Sequence, residues 1–336
     1  MKGKRLLQIA ASVLLLSGLV WWVDPVEVGK AFAGADPALI ALAFAMVTAN
    51  RILMAVKWNL LLAARGVEIG FGRATRIYYT STFLGLFLPP TVGADVIRAW
   101  LVTRSESKLP EVASSIVVER VLGLVSLALF GVAAAVLFPI VMRESQLDPV
   151  LLLGLALAAA SVGIGALVFS FTEVCERIVM RLLAATAREG ILARIARIVG
   201  QIYQSYREYR NHRGALWVFF ALTLLENALP IVRAWVVAIA FGADVALVYL
   251  FAFVPLEMLL ARIPLSLDGF GLREATFVVF LGFVGVAENL GFAIGLVNHV
   301  LFVVAVLPGW LFYLLDPAAR QRRGPAPSQA ASETAS

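Results

Sequence analysis

The chain has 336 residues, of which 61% are apolar and only 15% charged, with a net charge of +6; soluble domains run at roughly 45–50% apolar and about 25% charged. One cysteine, Cys175, and two histidines, His212 and His299, exclude a disulfide framework, a CxxC redox pair, an HExxH motif and a His/Cys metal cluster, so no metal and no other cofactor is expected. The surplus of Lys and Arg has no nucleic-acid recognition module around it and reads as topology signals and contacts to anionic lipid head groups.

A helix needs about 20 apolar residues to cross a bilayer core. The first such stretch is 6–23, preceded by Lys2, Lys4 and Arg5. Ala31-Phe32-Ala33 imitates a signal-peptide cleavage site. The apolar run is nevertheless longer than an h-region of about 7–15 residues, and Asp24, Pro25 and Glu27 separate it from the alanines, so a retained helix is expected. The second span is 38–56. Region 77–103 is apolar but broken at Leu88-Pro89-Pro90-Thr91-Val92-Gly93. Spans 117–140 and 150–171 follow. Segment 172–214 is not a span: Val174, Ile178 and Leu182, then Ile191, Ile195, Ile198 and Ile202, recur at helical spacing with Arg177, Arg181, Arg188, Arg194 and Arg197 among them. That pattern predicts amphipathic cytoplasmic helices on the inner membrane surface. Span 215–241 comes next. Region 246–286 is broken in turn, between Arg262 and Gly271, and 290–315 is the last span. Residues 1–316 thus read as a single transmembrane domain, and 317–336, rich in Ala, Pro and Ser, as a disordered cytoplasmic tail.

The basic residues set the orientation. With the N-terminus inside, the inner segments 1–5, 57–76, 104–116, 172–214 and 316–336 hold 20 of them, and the outer segments hold only Lys30 and Arg143. Both termini are therefore expected in the cytoplasm. Region 77–103 must then enter and leave on the same side within 27 residues, where two full spans need about 40. Pro89 and Pro90 remove two backbone donors and bar the helix from continuing, so a re-entrant hairpin is expected. The flanks of 246–286 both fall outside. That region is either a second hairpin from the opposite face or two short full spans. The expected architecture is an all-α polytopic membrane protein, N-in and C-in, with about six full spans plus two broken-helix hairpins, open to reading as an inverted repeat.

The two breaks resemble each other. The first reads Pro90-x2-Gly93-x4-Arg98-Ala99, with Asp95; the second reads Pro264-x4-Gly269-x-Gly271-x-Arg273-Glu274-Ala275, with Asp268. Non-helical backbone at membrane depth must be buried in protein or line a water-filled cavity. Helix N-termini after Gly93 and Gly271, with Arg98 and Arg273 beside them, suit the phosphate of a lipid head group. The plainer reading is a pair of proline kinks, with the arginines snorkelling to the interface. Ionisable residues inside spans are the second signal. Glu226 and Arg233 stand seven apart around Pro230, Glu257 precedes the second break, Arg262 lies within it, and Glu119-Arg120 open the third unbroken span. Each could gate or couple transport, or form a structural ion pair. For Asn298-His299 the sequence favours a structural hydrogen bond.

Asn50-Arg51, Lys57-Trp58, Phe83-x4-Leu88-Pro89-x3-Gly93-x-Asp95-x2-Arg98-Ala99, Glu119-Arg120-Val121 and Pro264-x4-Gly269-x-Gly271-x-Arg273-Glu274 follow one another in that order. From about residue 5 to 316 this set resembles the membrane domain of lysylphosphatidylglycerol synthases and the wider flippase-like group, uncharacterised protein family 0104. Lys57-Trp58 stands where the family usually has Arg-Trp, and Pro89-Pro90 where one proline is typical. The resemblance implies movement of lipid across the bilayer. In the best-known members a soluble aminoacyl transferase domain follows. No such domain follows here, so synthesis of the lysyl lipid is not expected.

The reading that results is a lipid translocase of the cytoplasmic (inner) membrane, moving an anionic lipid or lipid-linked glycan between leaflets. Arg98, Arg273, Gly93, Gly269 and Gly271 would hold the phosphate. Pro89, Pro90, Asp95, Glu119, Arg120, Glu226, Arg233, Glu257, Arg262, Pro264, Asp268 and Glu274 would gate or couple. No GxxxxGK[ST] is present, so ATP is not the direct energy source. The expected partners are membrane lipids, and a lipid- or glycan-synthesis enzyme. The alternatives are a membrane-embedded glycosyl or lipid transferase, using Asp95 and Asp268, and a non-transporting partner subunit.

Overall fold

The structure is a computed structural model that describes residues 17–19, 25–88, 93–104, 108–141, 149–186, 191–260 and 269–315. Among the described residues there are thirteen α-helices and no strand. Most of the 6–23 stretch and the whole 317–336 tail lie outside them, as do Pro89, Pro90, Arg262, Pro264 and Asp268.

The central pair is α2 (Pro37–Ala64) and α9 (Arg213–Ala240), each 28 residues long. Asp36 caps α2, its Oδ1 accepting from the N–H of Ala38 at 2.8 Å and of Leu39 at 3.3 Å, and Pro37 supplies the preset φ of a first helical turn. The N–H of Asp36 donates to the carbonyl of Ala240 at 2.8 Å, which ties the start of α2 to the end of α9 and makes the pair antiparallel. Pro230 inside α9 cannot donate to the carbonyl four residues back, at Glu226, so that turn of α9 is loosened.

Helix α5 (Leu109–Val141) lies beside this pair, and α6 (Pro149–Ser170) packs back on it. The broken regions become α3 (Phe71–Gly85) with α4 (Gly93–Thr103), and α10 (Leu247–Leu260) with α11 (Leu272–Gly282). Helix α12 (Glu288–Val306) covers α11 and α2, α13 (Pro308–Leu315) covers α3, and a short α1 (Pro25–Gly34) leans on α12. Glycines set the closest approaches. A Cβ on Gly85 would stand 2.8 Å from that of Ala94 across the first break, and one on Gly309 2.2 Å from the carbonyl oxygen of Tyr79. Helices α11 and α12 meet in the same way at Gly291 and Gly295.

Among the described residues, four stretches are long and apolar enough to cross a membrane: Pro37–Ala64, Leu109–Leu137, Arg213–Ala240 and Glu288–Leu315. They coincide with four of the six expected spans. Helix α6 occupies the place of a fifth.

Residues 24–37, which connect the first two expected spans, are mostly α1, whose Phe32 meets Phe241 edge to face at 5.5 Å. One local expectation changes. Segment 172–214 forms α7 (Glu173–Thr186), α8 (Ile191–Arg207) and a 3₁₀ turn (Glu208–Asn211), and it does more than lie on a surface. Ala196, Tyr206 and Tyr209 are buried, Tyr209 Oη donates to the carbonyl of Leu61 at 2.9 Å, and Ser114 Oγ and Ser205 Oγ are 3.0 Å apart. Part of α8 and the 3₁₀ turn therefore packs on the bundle, while Ile195 and Val199 of α8 remain exposed. On α7, Val174, Ile178 and Leu182 remain exposed, as the amphipathic pattern requires.

Candidate functional site

Two clusters of charge lie inside the bundle, both built on α2 and α9. The first starts at Lys57, which is 2% exposed. Its Nζ is ion-paired with Glu226, donates to Thr223 Oγ1 at 3.0 Å and lies 4.6 Å from the ring centre of Phe219. The next residue, Trp58, carries the cluster towards the first broken hairpin. Its indole N–H donates to Ser115 Oγ at 3.1 Å, and its ring lies 4.8 Å from the guanidinium of Arg98, which has Tyr78 at 4.9 Å as a second aromatic contact. Arg98 is ion-paired with Asp95 at 3.0 Å and with Glu119 at 2.9 Å. Arg120 grips Asp95 with two nitrogens, both at 2.7 Å, and Tyr78 Oη donates to Glu119 at 3.2 Å. Asp95, Arg98, Glu119 and Arg120 are thus two cations against two anions, interlocked. A network of this kind joins the α4 arm to α5, and its charges are paired, although Oε2 of Glu119 stands 2.9 Å from Arg98 without a hydrogen bond.

The second cluster is different in kind. A cavity of about 200 Å³ is lined by Asn50 and Arg51 of α2, Pro230 and Arg233 of α9, Glu257 of α10, Arg273 and Phe277 of α11, and Asn298, His299 and Phe302 of α12. Asn50 and Arg51 stand midway along α2. Three arginines face one carboxylate across it. Arg273 approaches Glu257 only to 3.5 Å, beyond hydrogen-bond range. The guanidinium groups of Arg51 and Arg273 share the ring of Phe302, at 5.0 and 6.0 Å from its centre. Nε of Arg51, Arg233 and Arg273, Oδ1 of Asn50 and Asn298, and Oε1 of Glu257 are buried without a hydrogen-bond partner. Orphaned buried polar atoms are uncommon and costly, so six around one cavity mark a place built for a polar occupant.

The second broken hairpin supports this cavity. Gly269 and Gly271 both sit at φ +84°, backbone that side chains other than glycine rarely adopt. They turn the chain into α11, where Glu274 bonds inwards. One of its oxygens accepts from the N–H of Gly271 at 2.7 Å and the other is 2.9 Å from His299 Nδ1. Both side chains are fully buried, and Phe270 stacks on the imidazole at 3.8 Å.

Of the residues singled out from the sequence, Asp95, Arg98, Glu119 and Arg120 come together in the first cluster. Arg233, Glu257 and Arg273 come together around the cavity, with Gly269, Gly271 and Glu274 behind them. Gly93 opens α4 against Leu88. Two expectations are corrected. Arg98 and Arg273 stand in separate clusters, because Asp95 and Glu119 give Arg98 both its counter-charges. The N–H of Gly271 is taken by Glu274. Glu226 and Arg233, seven apart on α9, both stand beside α2, Glu226 paired with Lys57 and Arg233 in the cavity with Asn50 and Arg51. Asn50, Arg51, Asn298 and Lys57 were not singled out as site residues. The signal was available: Asn50-Arg51 is a polar and charged pair in the middle of an apolar span.

A family model described as the lysylphosphatidylglycerol synthase TM region matches residues 9–309. A protein named glycosyltransferase AglD, of Haloferax volcanii, is 25% identical over 297 residues, covering 80% of this chain and 47% of that protein, so the chain spans about half its length. Two proteins of Methanothermobacter thermautotrophicus, each described as a UPF0104 membrane protein, are similar over most of both chains. One is 21% identical over 316 residues, 90% of this chain and 92% of the other; the second is 22% identical over 294 residues, 83% of each.

Proposed function

The chain belongs to the family of the lysylphosphatidylglycerol synthase TM region, and from that membership we propose that it translocates an anionic lipid, or a lipid-linked glycan, between the leaflets of the cytoplasmic membrane. The observation that carries this reading is the cavity in which Arg51, Arg233 and Arg273 face Glu257 alone. A phosphate there takes charge-assisted bonds from guanidinium groups whose Nε atoms lack a hydrogen-bond partner. The carbonyl oxygens of Asn50 and Asn298 accept from hydroxyl or amino groups on the same head group.

The proposed topology has both termini inside, about six full spans and two broken hairpins entering from opposite faces. Helix lengths support it. At about 1.5 Å per residue, α3 reaches roughly 22 Å and the eleven-residue α11 roughly 16 Å, both short of a core of about 30 Å. The cavity then lies at mid-depth, between the breaks, as in carriers built from discontinuous helices. The Asp95, Arg98, Glu119 and Arg120 network is the inner gate. Its bonds tie the α4 arm to α5, and opening must break or exchange them. Lys57 and Glu226 hold α2 to α9 as the hinge pair.

The test is leaflet exchange of a head-group-labelled anionic phospholipid in proteoliposomes. Each bond from Arg51, Arg233 or Arg273 to a phosphate contributes about 1.5–3 kcal/mol, so single alanine variants lower exchange roughly ten- to a hundredfold. Lysine restores part of it, because an ammonium lacks the planar fork. Exchange at wild-type rate in Arg273→Ala and Arg233→Ala overturns the reading. A second reading, a membrane-embedded transferase, draws on the likeness to a protein named a glycosyltransferase. Turnover of a lipid-linked sugar donor without exchange decides for it.

A further inference from the structure

Away from the charged cavity, α5 forms the floor of a groove of about 570 Å³, with α6 as one wall and α9 as the other. Its surface is almost wholly apolar. Val118, Leu122 and Leu129 line it from α5, Ile164 and Val168 from α6, and Trp217 from α9. Val118 to Leu129 span eleven steps of helix, about 16 Å. One end is closed by Phe171 and Tyr206, whose rings stack at 4.7 Å and whose position Ser170 fixes with a hydrogen bond of 2.6 Å to Tyr206 Oη. At that same end stand Arg210, on the 3₁₀ turn, and Arg213, the first residue of α9.

These two arginines are unlike their neighbours. Arg65 is paired with Glu208 and Arg207 with Glu176, whereas Arg210 and Arg213 have no ion-pair partner among the described residues. They are exposed, and one turn beyond Arg213 the indole of Trp217 is 71% exposed. Trp at this level is the usual mark of the membrane–water interface. Two free guanidinium groups at head-group depth, above an apolar trench running towards the membrane core, make one shape and one charge pattern. We infer that this groove is a lateral binding site for an anionic phospholipid, with one acyl chain along α5 between α6 and α9 and the phosphate held by Arg210 and Arg213. The site is separate from the translocation cavity and uses none of its residues. The groove volume falls in the range of sites that bury most of a ligand, about 300–1,000 Å³. A resident lipid there lies between α6 and α9 and adds to what holds them together.

The test uses the intact chain in phosphatidylcholine nanodiscs doped with phosphatidylglycerol, or with phosphatidylcholine as control, bearing a photoactivatable group on one acyl chain. Labelled peptides are mapped by mass spectrometry. The glycerol lipid labels 118–129 and 164–171 in strong preference to the choline lipid. The joint variant Arg210→Ala/Arg213→Ala loses that preference, a fall of about tenfold or more for two charge-assisted contacts. Arg210→Lys/Arg213→Lys keeps most of the preference, which shows that the charge and not the fold was lost. Leu167→Trp fills the trench and removes labelling by both lipids. Arg273→Ala leaves groove labelling unchanged, so failure of the translocation reading and failure of this one are separable. Equal labelling by the two lipids, unchanged labelling in the double-alanine variant, or cross-links joining two copies of the chain across the groove overturns the assignment.

Discussion

Lys57 and Glu226 form a buried ion pair between the two central helices, and the cost of breaking it can be stated. Removing one partner leaves the other charge buried and uncompensated, which costs about 3–5 kcal/mol. Lys57→Met and Glu226→Leu are each expected to lower the unfolding temperature sharply in detergent, while the double replacement recovers most of the loss. Equal loss in the double variant would mean that the two charges act separately. Arg98→Ala is expected to behave like a broken structural pair, destabilising the protein, because Asp95 and Glu119 are left facing each other; Arg273→Ala is expected to cost less stability, since its single ion-pair contact, to Glu257, is 3.5 Å long, and to lower exchange roughly ten- to a hundredfold. Thermal unfolding and exchange measured side by side check both statements. The contrast between Arg98 and Arg273 was not legible in the sequence, where both follow a proline and a glycine turn. What separates them is the counter-charge supplied by Glu119, from another helix. Asn50 and Arg51 were legible in principle, from the expense of placing them in a span. The hydrogen bonds of Glu274 were not, because no local pattern tells that its carboxylate turns back to Gly271 and on to His299.

At the scale of elements, the four long spans and both interruptions could be read from the run of apolar residues, because a bilayer fixes the length a helix must have. The ends of α3 and α11 could not, since short helices are bounded by tertiary contacts as much as by composition. The packing of α8 was missed for the same reason: Ala196 and Tyr206 fit the amphipathic period equally well facing lipid or protein. Helix contacts inside a membrane depend on close backbone approach, and Gly309 is the sharpest case. A Cβ there meets the backbone of Tyr79, which has no rotamer to give way. Gly309→Val is expected to detach α13 from α3 and destabilise the protein by about 1–3 kcal/mol, the ordinary cost of overpacking. Gly282→Val on α11, where the space is open, is the control and leaves the unfolding temperature unchanged.

For the whole molecule, the decisive arrangement is the placement of the two breaks. Single cysteines introduced into a Cys175→Ala background report it. Lys30→Cys and Gln146→Cys are expected to react with an impermeant reagent from outside, and Glu68→Cys, Lys108→Cys, Gly190→Cys and Pro325→Cys only from inside. Opposite exposure of positions 68 and 108 would turn the first broken region into a full crossing. The pairing of α2 with α9 also bears on how the protein is made. Lys57 and its partners on α9, such as Thr223, are separated by 166 residues of chain. At synthesis rates of about 5–20 residues per second, α2 waits roughly 8–33 seconds before α9 leaves the ribosome. Throughout that interval it carries Arg51 and Lys57 with no counter-charge, in a helix otherwise suited to lipid. Release of α2 into the bilayer before α9 arrives would strand both cations in hydrocarbon. Biogenesis therefore has to keep the early helices beside the insertion machinery, or beside a membrane chaperone, until the late ones arrive. Truncation after α8 would leave a fragment that insertion quality control recognises by those same two residues.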